Sequence, residues 1–140
     1  MNFLRTLAPF VSRGAMMPTI GSFTIIGGRH LLQPIPVTQS VAFAAPAGIT
    51  DFRIAFGGFP IGVALFLFVC VLYRGWRLPG LVFTALLITV VVLARAYGMV
   101  MDSTVSANLQ LLVIEFILIG ITLAGVAAEL YQRAENRRPA

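Results

Sequence analysis

Hydrophobic residues gather into long unbroken runs along this chain, and polar residues gather between them. Three runs are clear: Phe56 to Tyr73, Leu81 to Met101 broken only by Arg95, and Leu109 to Ala128 broken only by Gln110 and Glu115. Each approaches the roughly 20 residues that carry a helix across a bilayer core. Backbone groups in lipid have no water to bond, so each run must satisfy its own amides and carbonyls as a helix. A fourth, weaker segment lies between Pro9 and Leu32, with an uncharged stretch from Gly14 to Gly28 flanked by Arg13 and Arg29. Such a segment either lies in the interface or spans, since long arginine side chains can reach from it to either boundary. The pattern predicts an all-α fold, an integral membrane four-helix bundle. It is a single domain over residues 1–140, with helices at about 9–32, 53–73, 81–101 and 108–130 and a polar tail at 131–140.

The connections differ in kind. Gln33 to Thr50 carries Pro34, Pro36 and Pro46 and no basic residue, which reads as an extended link or a short re-entrant piece. Arg74 to Gly80 (RGWRLPG) reads as a tight turn with Trp76 at headgroup level. Asp102 to Asn108 (DSTVSAN) reads as a short polar loop with Ser106 or Asn108 placed to cap the last helix. Pro9, Arg13 and Pro18 interrupt the N-terminal region where the apolar centre of a secretory signal would lie, so the segment reads as part of the fold.

Composition agrees with the runs. The chain is 59% hydrophobic and 11% charged, too few charges to cover a soluble domain of this size. The net charge is +5, carried by arginine. These arginines sit mostly at the ends of apolar runs with no basic stripe of interleaved aromatics, which points away from nucleic acid and toward membrane flanking. With four spans, Arg5 and Arg13, the turn with Arg74 and Arg77, and the tail with Arg133, Arg137 and Arg138 all fall on one side. The positive-inside rule makes that side cytoplasmic, so both termini are expected there. The lone Cys70 lies within an apolar run and reads as packing. One histidine, His30, and one cysteine offer no haem or zinc site within the chain, and no cofactor is expected.

Ionisable residues inside spans face protein or water rather than lipid. Arg95 stands one heptad before Asp102, and Glu115 one heptad after Asn108, so both lie roughly 10 Å below the same boundary at 1.5 Å rise per residue. A short loop makes their helices antiparallel neighbours. An Arg95–Glu115 pair is therefore expected, on a polar stripe of Asn108, Glu115, Thr122 and Glu129. Asp51 and Arg53 stand at the outer entrance of the second helix. With Arg95, Asp102 and Glu115 they form the candidate polar network or ligand site. Gly14, Gly21 and Gly28 share one helix face, and Gly57, Gly58 and Gly62 follow Arg53; small residues so placed let helix backbones approach in membranes.

Ala47-Gly48, Asp51, Arg53, Phe56-Gly57-Gly58 and Gly62, within AGITDFRIAFGGFPIGVALFL, resemble the signature of a small bacterial membrane family, domain of unknown function 4345. The resemblance covers roughly Gly27 to Leu130. It implies about four hydrophobic helices, an Asn or Asp, an Arg and a Gly-Gly pair where helix two begins, an Arg in helix three and a Glu in helix four. Arg95, Asp102 and Glu115 match that arrangement. The chain departs at Ala55, where the pattern places an acidic residue, so no carboxylate role carries over there. The resemblance implies no activity. Two function classes fit the residues. One is a non-enzymatic accessory or assembly subunit, packed against a larger membrane complex or another copy of itself. The other is a lipid- or quinone-binding protein, possibly modifying its ligand, with an outward pocket lined by Arg53, Arg95 and Glu115.

Overall fold

The computed structural model describes residues 3–33, 46–101 and 105–137. It is all-α. In chain order the helices are α1 (Phe3–Gly14), α2 (Met17–Leu32), α3 (Pro46–Phe52), a π-helical turn (Arg53–Gly58), α4 (Phe59–Leu72), a 3-10 turn (Arg74–Trp76), α5 (Arg77–Met101) and α6 (Val105–Glu135). Among the described residues, three continuous helical stretches are long and apolar enough to cross a membrane: Gly48–Leu72, Arg74–Met101 and Asn108–Glu135.

The weak first segment is two helices, with a turn at Ala15 and Met16 where one element over 9–32 was expected. Pro18 explains the break. It has no N–H to offer the Gly14 carbonyl one turn back, and its ring crowds that carbonyl. The Ala15 N–H still donates to the Val11 carbonyl at 3.0 Å, and the Met16 N–H reaches only three residues back, to Arg13, at 3.3 Å. α2, at 16 residues, is about 24 Å long.

The chain divides into two compact units, residues 1–18 with 70–140, and residues 19–69. In the first, α5 runs along α6 and α1 packs on α6. The α5 seam is Leu81, Thr84, Ile88, Val92 and Met99, all buried. Facing residues on α6 are Thr122, Gly125 and Glu129, also buried. These steps of three and four keep one stripe of each helix against its neighbour. Thr84 and Thr122 return their hydroxyls to the carbonyls of Gly80 and Leu118, each at 2.8 Å, and so enter the apolar seam without an orphaned donor. Two glycines fix the closest approaches. A Cβ on Gly125 would stand 2.5 Å from the Ala15 Cβ and 2.9 Å from Leu81, and one on Gly80 would stand 2.5 Å from the Cys70 Cβ. Met16, Cys70 and Leu81 are completely buried around these points.

The second unit has its own close crossing. A Cβ on Gly27 of α2 would lie 2.8 Å from the Gly57 carbonyl oxygen, and one on Gly57 would lie 3.0 Å from the Leu31 Cα. Gly14, Gly21, Gly28 and Gly62 have open space at that position, and Gly58 meets only the Arg53 carbonyl at 4.0 Å. Of the glycines expected to pack helices, Gly57 is the one at a close approach, and its partner is Gly27. The π-helical turn accounts for part of this. Its i to i+5 bonding inserts one residue relative to an α-helix and rotates the following face. Positions that share a face in an ideal helix then diverge.

Candidate functional site

Arg95 projects from α5 and Glu115 from α6, at matching levels of the two helices. The Arg95 Nε donates to both Glu115 carboxylate oxygens, at 3.0 Å and 2.9 Å, and Nη2 donates to Oε1 at 2.7 Å. Nη1 donates to the Asn108 Oδ1 at 3.0 Å, one heptad up the same face of α6. The side chains retain 24% and 12% of their exposure. Planar fork-on-carboxylate geometry of this kind is the strong form of a charged hydrogen bond. The charges neutralise each other where neither would be tolerated alone. Chemically the arrangement is closed. Its donors and acceptors are directed at each other, so it ties α5 to α6 and fixes their register.

Arg53 and Asp51 belong to the other unit, and both are exposed. Arg53 opens the π-helical turn and lines a cleft of about 360 Å³ with Leu31, Thr50, Ile54, Gly58 and Phe59. It forms no ion pair with another described residue. His30, in the same unit, stands edge-on to Phe52 at 5.4 Å and to Phe56 at 6.4 Å, with its Nδ1 buried and without a hydrogen-bond partner. Asp102 lies outside the described residues. Of the five charged residues expected to form one network, the structure brings Arg95 and Glu115 together.

A second charged group lies at the opposite end of α5 and α6. Glu129 is 1% exposed and accepts a bond from the Arg133 Nε at 3.1 Å. Arg133 Nη2 also reaches the Gly75 carbonyl oxygen at 3.2 Å. Arg77 is buried, with its Nε donating to the Val71 carbonyl at 3.3 Å. Arg77 and Arg133 read in sequence as membrane flanks; the signal that Glu129 faces inward was its place on the heptad stripe with Glu115. Among the described residues, no three His, Cys, Asp or Glu side chains are grouped to hold a metal ion.

Domain of unknown function 4345 matches residues 11–126, most of the chain, including Arg53, Arg95, Asp102 and Glu115. The chain belongs to this family. No curated protein and no solved structure matches it. The family match takes in the Arg95–Glu115 pair and Arg77, and stops short of Glu129 and Arg133.

Proposed function

We propose that this chain is a non-catalytic accessory or assembly subunit of a membrane complex, held in a bacterial inner membrane with both termini on the cytoplasmic side. The Arg95–Glu115–Asn108 closure carries the reading. The deepest charges are consumed in joining two helices, as a structural element requires. The exposure of α6 supports it further. Only 11% of its most apolar window is buried, against 33% for α5, leaving Phe116, Ile117, Ile121 and Leu123 open to lipid or a partner helix. For the orientation, α1 runs antiparallel to the end of α6, with Gln132 donating to Ser12 at 3.5 Å. That contact sets Arg13 at the same end of this unit as Arg74 and Arg77, which supports a common basic side. Photo-crosslinkers at Ile117 and Leu123 in native membranes test the subunit reading. One defined polypeptide captured in fixed proportion is the expected result; lipid adducts alone at both positions would refute it.

A second reading rests on Arg53, an arginine without an ionic partner beside an apolar cleft. There the chain would hold an anionic amphiphile or a quinone. Native mass spectrometry would then show one small molecule per chain, lost in Arg53→Gln with folding intact. An unchanged adduct in Arg53→Gln would exclude it.

A further inference from the structure

At the end of α5 and α6 remote from Arg95, arginines exceed carboxylates. Arg13, Arg74, Arg77, Arg133 and Arg137 stand against Glu129 and Glu135. Arg74, Gly75, Glu129, Arg133, Asn136 and Arg137 line one cleft of about 370 Å³. Its arginines are not all free snorkelling side chains. Arg133 is held on two sides, by the Glu129 carboxylate and by the Gly75 carbonyl. A guanidinium has five N–H donors, and these two bonds leave the rest of its fork available. Arg74 and Arg137 are exposed and form no ion pair with a described residue. Arg77 adds a buried positive charge close by. The cleft opens at the ends of two apolar helices of spanning length, and Tyr73 and Trp76 stand exposed in the adjoining turn. Aromatic side chains of this kind settle at the headgroup level of a bilayer.

We propose that this cleft binds the phosphate of one anionic phospholipid headgroup. Arg74 and Arg137 contribute mobile charge, and Arg133 is a donor positioned by Glu129. A phosphodiester is the match for convergent arginine forks, which bind its oxygens in pairs. The position at the ends of spanning helices selects a lipid over a free anion, because a lipid arrives with its phosphate already at that depth. The site is independent of the subunit reading and of the Arg53 cleft.

The test uses the full chain, delipidated in a non-ionic detergent and titrated separately with phosphatidylglycerol, phosphatidylcholine and inorganic phosphate. Native mass spectrometry counts the bound molecules and a thermal melt follows each titration. Phosphatidylglycerol should bind one per chain, at least ten-fold more tightly than phosphatidylcholine. The double variant Arg74→Gln/Arg137→Gln keeps the Glu129–Arg133 pair, and should weaken that binding about 30-fold while its lipid-free melting temperature stays unchanged. Arg29→Gln, in the other unit, should bind as the parent does. Equal affinity for the two lipids, or a double variant that binds phosphatidylglycerol as tightly as the parent, would overturn the proposal. Full competition by inorganic phosphate at lipid-equivalent concentration would also overturn it, and would reassign the cleft to a free anion.

Discussion

Glu115 and Glu129 stand on the same face of α6, and each is bonded to an arginine, yet the two pairs act differently. Glu115 meets Arg95 of the neighbouring helix, through both carboxylate oxygens, and both partners are largely withdrawn from solvent. Glu129 meets Arg133 four residues along its own helix, with the arginine side chain 36% exposed. The first pair joins two elements. The second lies within one helix and sets the direction of one arginine, whose Nη2 reaches the Gly75 carbonyl. Around Glu129 the joining is done by steric fit, with Gly80 and Gly125 admitting Cys70, Ala15 and Leu81. Where glycine lets backbones approach, packing suffices; at Arg95 the charged pair makes the join. The same residue chemistry thus gives a structural clamp in one case and a presented cation in the other.

Breaking the clamp should have the largest effect. Arg95→Ala or Glu115→Ala leaves an uncompensated buried charge and should destabilise the protein by about 3–5 kcal/mol. Arg95→Met with Glu115→Leu should recover much of that loss, measured by reversible unfolding in detergent. Asn108→Ala removes a single bond to the guanidinium and should cost about 1.5–3 kcal/mol by the same assay. At the other end the sensitive position is a glycine. Gly125→Val drives a side chain into Ala15 and Leu81 and should cost about 1–3 kcal/mol. Gly62→Ala, with open space around it, should be neutral or slightly stabilising. Smallest of all is Glu129→Gln. Glutamine keeps the size of this buried side chain and an acceptor for the Arg133 Nε, so the stability change should be about 1 kcal/mol, while Arg133 is held less firmly in its direction. A loss at Glu129→Gln equal to that at Glu115→Ala would erase the distinction between the two pairs.

Much of the fold was legible because lipid imposes strict rules. Run length alone predicts helices close to α5 and α6, and constant helical rise places Arg95 and Glu115 at one depth. Depth plus a short connection is enough to pair them. Other features depend on information that periodicity does not contain. A heptad of Gly14, Gly21 and Gly28 identifies a face and not the neighbour it meets, so the actual crossing at Gly27 and Gly57 was hidden. The π-helical turn at Arg53–Gly58 changes the phase of the face it precedes. Arg77 looks in sequence like any flanking arginine, since nothing in the chain says whether a long side chain turns outward or inward. The break at Ala15–Met16 is legible in Pro18, whose missing N–H outweighs the glycine spacing.

The clamp is the centre of this account, and a double-mutant cycle on Arg95 and Glu115 measures it directly. The cycle compares the parent, Arg95→Met, Glu115→Leu and the double variant by equilibrium unfolding in the same micelles. The structure predicts that the double variant is more stable than either single one, with a coupling energy of about 3 kcal/mol. Additive losses, with coupling within about 0.5 kcal/mol of zero, would contradict it.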